Sequence, residues 1–407
     1  MADRKNMRFV IIGMLFLGWS LGNFDRFIIN YAILGISEDL ELSASLTGIV
    51  LSSFFAGYAL MQIPGGWLAD RFGFRKVLII AVFLWSIFTV LTGMAWSFVS
   101  LIFIRFFFGL GEGSFFPAAS KGIANWFPHN ERSKAMSIML TSGTLMGVIT
   151  PIAGTLLMQS IGWRMIFYIV GALGLIVTIL FYYFLHEKQT EVNVAISKKR
   201  VKSPLRNVLK TPMIWNLFIA YFSIYAINWG LSSWMPTYLS EVKGLDLTSI
   251  GLVSAIPSFL GIFATLLSGY ILDRLPEGKD KPVAATFGLL AAVALYFMAS
   301  APSITMFVVY QSIVTILLAF NIILITSVPL KILSEDVVGT ANGFINTGAQ
   351  FAGVVTPMLI GFLVDIFGGS YHAAFIMLIC FAVLCSIMLF LIKPTTQKVQ
   401  VEANSLN

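Results

Sequence analysis

Four ionisable residues stand inside otherwise apolar runs: Asp25 and Arg26 in the first run of the sequence, Arg105 and Glu112 in the fourth. On insertion scales each costs about 2.5–3.5 kcal/mol at the centre of a membrane-spanning helix, so chance does not keep four of them. Two acids and two arginines sum to zero and can neutralise one another. Their chemistry would be proton exchange at a carboxylate and paired N–H contacts from a guanidinium to an anion. Glu112 follows Arg105 by seven residues, or ~700° of helix rotation, which puts both on nearly one face about 10.5 Å apart, where they can share a partner from another helix. Asp25 and Arg26 diverge by ~100°, so Arg26 can point at a cavity while Asp25 turns toward a neighbour. The bland alternative is a purely structural salt-bridge network, since buried pairs are often no more stabilising than apolar packing. Intramembrane ionisable groups mark ion and substrate paths by default, and the functional reading is taken for that reason.

Around these charges stand neutral polar groups in apolar surroundings. Tyr58 can donate its hydroxyl to a carboxylate or simply pack. Asn228, Asn321, Asn346 and Gln350 can bind substrate hydroxyls or glue helices together. Trp229 and Trp234 can wall a cavity, although interfacial anchoring suits any tryptophan near a span end. Gly109, Gly111 and Gly113 favour close helix packing. Lys121 can snorkel to the nearer surface. His129, His186 and His372 form no metal constellation, and the cysteines, Cys380 and Cys385, are five apart in one apolar run with no partner for zinc or a bridge.

The elements that position these residues follow from composition. Of 407 residues 58% are hydrophobic and 11% charged, against roughly 25% charge in a soluble domain. Apolar runs fall at 9–36, 44–69, 77–96, 98–124, 135–158, 163–185, 213–239, 248–272, 283–300, 303–330, 340–366 and 371–392, each long enough to cross a bilayer. The first exceeds a signal-peptide core and lacks a cleavage pattern, so it reads as a retained helix. With both termini cytoplasmic, 21 of the 26 basic residues fall on the inner side and two, Arg164 and Lys243, on the outer, as Lys and Arg distribute in membrane proteins. The net charge of +7 therefore reports orientation in a lipid bilayer, and nucleic acid is excluded as a partner.

A polar stretch with seven basic residues separates the sixth and seventh runs. The organisation expected is a six-helix bundle over 1–186, a cytoplasmic linker over 187–212, and a second bundle with a short tail over 213–407. A weak repeat links the halves: Gly48, Gly66 and Asp70-Arg71 answer Gly251, Gly269 and Asp273-Arg274 at an offset of 203, and Gly147 to Pro151 answers Gly353 to Pro357 at 206. Parallel six-helix repeats about an axis along the membrane normal are typical of secondary transporters, with the substrate path between the halves.

The loop from Gly66 through Asp70, Arg71, Gly73 and Arg75 to Lys76 matches every fixed position of the signature of the major facilitator superfamily, and Gly269 to Arg274 is its worn copy. This resemblance implies the twelve-helix, all-α fold of two pseudo-symmetric bundles. It also implies conformational gating by Gly66, Asp70, Arg71, Gly73, Arg75, Asp273 and Arg274. On the residues themselves, glycine permits close packing, and Asp70 at a helix end can pair with arginines and an adjoining helix dipole in one conformation only. The stretches Asn23 to Arg26, Tyr58 to Gly66, Arg105 to Arg132 and Asn346 to Gln350 resemble the anion:cation symporter family, whose bacterial members carry organic anions such as hexonates, hexuronates and glucarate. Where such members often have a glutamine in the fifth span, this chain has Gly143, and the segment after Arg26 is more apolar than usual.

The function expected is symport of a small organic anion with protons by a monomer in the cell membrane. Asp25, Glu112 and Arg105 would couple protons, and Arg26, Tyr58, Asn346, Asn228 and Gln350 would bind substrate. No ATP-binding loop, metal or organic cofactor is expected, protons being the coupling ion, and no enzyme activity. Proton-driven efflux, supported only by Gly143, Gly147, Gly154 and Pro151, and a ligand sensor that does not transport are the rival readings.

Overall fold

The computed structural model describes residues 2–187, 209, 211–276, 279–333 and 335–392. The segments expected to form most of the linker and the tail lie outside these. Among the described residues the chain is helical without strands: α1 (Ala2–Asp39), α2 (Ala44–Phe72), α3 (Phe74–Gly93), α4 (Phe98–Gly113), α5 (Phe115–Trp126), α6 (Arg132–Phe184), α7 (Pro212–Glu241), α8 (Leu247–Arg274), α9 (Asp280–Ala299), α10 (Ile304–Ile332), α11 (Glu335–Ile366) and α12 (His372–Phe390). A backbone that cannot reach water must bond to itself, and an apolar helix does so within its own segment.

Eleven described segments are long and apolar enough to cross a membrane. One of them, His129–Phe184, has 56 residues, more than twice the ~20 one crossing needs. Inside it Gly162 takes φ +78°, a left-handed conformation that glycine adopts without a side-chain penalty. That break divides the segment into the fifth and sixth of twelve spans, between the runs expected at 135–158 and 163–185. The fourth span differs from the continuous run expected: α4 stops at Gly113 and α5 resumes at Phe115. Pro117 explains the interruption, because it cannot donate to the carbonyl four residues back, at Gly113.

The described chain belongs to two compact units. The first comprises Met1–Asn193 with Ser232–Ala255 and Pro357–Gly369, and the second Val194–Leu231, Ile256–Thr356 and Ser370–Asn407. In the first, α2 and α4 pack backbone to backbone. A Cβ on Gly57 or Gly109 would collide with the carbonyl of Phe106 or Phe54, and one on Gly113 would lie 2.5 Å from the Tyr58 oxygen. Gly66 is less crowded, its nearest neighbour being Pro117 Cβ at 3.6 Å, so the tight packing expected there occurs instead at Gly57 and Gly65.

Elsewhere in this unit a seam is built on the repeat. A Cβ on Gly48 would come within 2.5 Å of the Pro357 oxygen, and one on Gly251 within 2.5 Å of the Pro151 oxygen. The repeated glycine of each half thus meets the repeated proline of the other. Beside the first crossing, Asp365 accepts from Ala44 N (3.1 Å) and Ser45 N (2.8 Å) at the start of α2. Trp234 Nε1 donates to Pro357 O at 2.9 Å, and Met358 N donates to Ser52 Oγ at 3.1 Å.

The second unit contains an aromatic cluster of Trp215, Phe218 and Phe344, with centroids 4.9–5.9 Å apart. It also contains a column of Tyr221, Tyr225 and Trp229 along α7.

Candidate functional site

The four intramembrane charges come together in the first unit as two crossed pairs. Arg26 Nη2 of α1 lies 2.5 Å from Glu112 Oε1 of α4, and Arg105 Nη1 of α4 lies 3.5 Å from Asp25 Oδ1 of α1. The sequence suggested one shared partner for Arg105 and Glu112. Each instead has its own, because the ~100° between successive residues of α1 sends Asp25 and Arg26 to different points along α4. Gly22 makes room for the acid: a Cβ there would sit 3.3 Å from Glu112 Oε1.

Burial separates the members. Asp25 and Arg105 are 1% exposed and Glu112 is fully buried, while the Arg26 side chain keeps 10% exposure. Arg26 is thus the member of the cluster most open to a ligand. Its guanidinium carbon lies 4.6 Å from the Tyr58 ring centroid, 5.2 Å from Phe54 and 5.7 Å from Trp19, where ring quadrupoles favour a cation. Arg105 rests 4.4 Å from the Phe108 ring. Thr89 of α3 donates to Asp25 Oδ2.

The cluster is not saturated. Asp25 Oδ1, Glu112 Oε2, Arg26 Nε and all three guanidinium nitrogens of Arg105 are buried without a hydrogen bond among the described residues. An unmet buried donor or acceptor costs about 1–3 kcal/mol, so these groups gain from any partner that supplies what is missing.

Of the other expected site residues, Tyr58 joins the cluster by its ring. Asn346 and Gln350 stand one turn apart on α11, both half-buried, and Asn228 is exposed on α7; all three belong to the second unit. Asn321 on α10 is fully buried, and neither of its amide atoms has a hydrogen bond among the described residues.

The signature loop departs from its expected contacts. Asp70 pairs with Lys121 Nζ at 3.1 Å rather than with arginines, and Lys121 also donates to Ala69 O at 2.8 Å. The reason is reach: Arg71 lies against the Trp67 and Phe72 rings, and Arg75 donates to the Tyr182 carbonyl at 2.6 Å. Gly73, at φ +90°, turns the chain from α2 into α3. Among the described residues nothing lies within 4 Å of a Cβ on Gly269, and Arg274 covers the Tyr270 ring at 3.9 Å; of Asp273 only the backbone is described.

Thr89, Trp19 and Phe54 escaped the sequence reading. Thr89 had a signal, since Ser86, Thr89 and Thr92 interrupt an apolar helix at a spacing of three. Asp39 was also missed; it accepts from Trp163 Nε1 at 2.9 Å and pairs with Arg164, tying the end of α1 to the start of the sixth span.

Comparison with known proteins agrees with this architecture. A probable sulfoacetate transporter of Cupriavidus necator is 32% identical over 92% of this chain and 91% of its own length. A probable galactarate/D-glucarate transporter of Escherichia coli is 28% identical over 93% of each chain, and the hexuronate transporter of Bacillus subtilis 29% identical over 90% of each. Among solved structures, a bacterial homologue of the human lysosomal transporter Spinster superposes with a TM-score of 0.80 at 23% identity, covering 94% of this chain and 96% of that one. A D-xylose-proton symporter superposes at 0.78 and 16% identity, over 98% and 99%. At those identities the structural likeness speaks to fold alone. The family model described as Major Facilitator Superfamily matches residues 15–357 and 280–406, and with the twelve spans and the paired signature loops it makes this multi-pass membrane protein a member of that superfamily.

Proposed function

We propose that the protein is a proton-coupled symporter of a small organic anion bearing a carboxylate or sulfonate, with Arg26 as the anion clamp and Glu112 as the coupling acid. The observation that carries this reading is the Arg26 to Glu112 pair: a partly exposed guanidinium held by a fully buried carboxylate. A proton on Glu112 removes the charge that holds Arg26. The guanidinium then turns its paired N–H groups to the anion, and the substrate replaces the lost negative charge. Asp25 with Arg105 forms a second exchangeable pair, and Tyr58 shapes the pocket. Residues 1–186 and 213–407 would be the bodies that rock, with Asn228, Asn346 and Gln350 as the second bundle's contribution to the substrate. The relatives' acids all carry a carboxylate or sulfonate, which supports the ligand class. The distribution of lysine and arginine supports cytoplasmic termini in the cell membrane.

The test is uptake into proteoliposomes across a panel of labelled organic acids with an imposed proton gradient. Wild type accumulates its substrate uphill. Glu112→Gln, fixed in the protonated-like form, exchanges substrate across the membrane without accumulating it, and uphill accumulation by that variant would remove Glu112 as the coupling site.

A further inference from the structure

The residues next to Arg26 hold one donor that the cluster does not use. Trp19 lies seven residues before Arg26 on α1, two helical turns away on nearly the same face. Its ring stacks on Phe115, with centroids 5.7 Å apart and planes at 20°, and meets Phe116 at 5.8 Å. Trp126, Trp163, Trp215 and Trp234 each donate their indole N–H to a protein oxygen. Trp19, 8% exposed, makes no such bond among the described residues. Unlike the enclosed, unpaired atoms of the charged cluster, this N–H keeps access to an incoming acceptor.

Two neighbours define the surroundings of this N–H. Asn23, one turn along, commits its Nδ2 to the Trp19 carbonyl at 2.7 Å. Across from α1, Gly143 of α6 has no side chain to cover the indole: a Cβ there would lie 3.3 Å from Trp19 Nε1 and 3.3 Å from Asn23 Oδ1. Donor and guanidinium are close enough to act on one ligand, since the Arg26 carbon is 5.7 Å from the Trp19 ring centroid and two donors on one headgroup each stand about 2.9 Å from its oxygens.

We propose that the Trp19 indole N–H is a third donor to the headgroup held by Arg26, and that it selects a tetrahedral, three-oxygen sulfonate over a planar carboxylate. A guanidinium fork engages both oxygens of a carboxylate in its own plane. A sulfonate presents a third oxygen outside that plane, and the indole N–H supplies its bond. The proposal rests on the reading of Arg26 as the anion clamp.

The experiment measures binding of 3-sulfopropanoate and succinate, which share a two-carbon spacer and differ in one headgroup, to the purified full chain by calorimetry. Wild type should bind the sulfonate more tightly. Trp19→Phe keeps the aromatic stack and removes the N–H, and it should lower the sulfonate-to-carboxylate affinity ratio at least about tenfold, as expected for a hydrogen bond to a charged group. Gly143→Ala, which crowds the same N–H from the other helix, should move the ratio in the same direction. An unchanged ratio in Trp19→Phe, or a wild type that binds neither ligand or prefers succinate, overturns the proposal. Arg26→Ala separates the two readings: if it abolishes binding of both ligands while Trp19→Phe leaves the ratio alone, only the third donor fails, and if both ligands still bind, the clamp fails and the donor with it.

Discussion

Within the first unit, the charged cluster of α1, α3 and α4 and the seam of α2 with α11 and α6 with α8 hold helices together by opposite means. The seam works by absence: Gly48 and Gly251 leave out side chains so that backbone meets the carbonyls of Pro357 and Pro151, while Asp365 supplies acceptors to two amides at the start of α2. The cluster works by excess, burying four charges with six side-chain atoms lacking a hydrogen bond among the described residues. A close-packed crossing has one good arrangement and loses it to a single methyl group. An undersaturated ionic cluster has several arrangements and changes with a proton or a ligand. The seam suits a fixed crossing, and under the proposed function the cluster is the part that switches.

Breaking one charge pair should have the largest effect. Arg105→Leu leaves Asp25 buried without its cation and should cost about 3–5 kcal/mol of stability, read as thermal unfolding in detergent. The double variant Asp25→Leu with Arg105→Leu should recover most of that loss while uptake stays abolished. Equal melting of single and double variants would show that the two charges do not depend on each other.

The seam should respond to size rather than charge. Gly48→Leu and Gly251→Leu should each cost about 1–3 kcal/mol by overpacking. Gly269→Ala, whose added Cβ has nothing within 4 Å among the described residues, should be neutral or gain up to about 1 kcal/mol by helix propensity. If the two seam variants melt with the Gly269 control, the close crossings are not what holds α2 and α8.

Smaller effects sharpen the contrast at its edges. Asp365→Ala removes a cap from α2 and should cost about 1 kcal/mol, with Asp365→Asn losing less because an acceptor remains. Asp70→Asn should change stability by no more than about 1 kcal/mol, since the Asp70 side chain is 77% exposed and surface pairs are worth little. Its expected signature is slower turnover at unchanged substrate affinity, and an equal fall in both would put Asp70 in the binding path.

Much of this protein was legible in the residue string, for reasons that are local. A bilayer demands long apolar helices whatever they pack against, so spans, their number and the charged residues inside them could be read directly. The family signature was equally visible, because Gly66 to Lys76 is contiguous. Helix rotation correctly separated Asp25 from Arg26, since ~100° per residue is a property of the backbone alone.

Tertiary structure decided which partner each group met. The crossing of Arg26 with Glu112 and of Arg105 with Asp25 depends on how far α1 and α4 are offset along their length, and no residue count contains that offset. The pairing of Asp70 with Lys121 depends on two span ends meeting in space. The repeat showed that Gly48 and Gly251 correspond, as do Pro151 and Pro357, yet only the folded chain set each glycine against the other half's proline. Helix formation is dictated by short-range backbone geometry and the surrounding solvent, whereas these contacts depend on the packing of segments far apart in the chain.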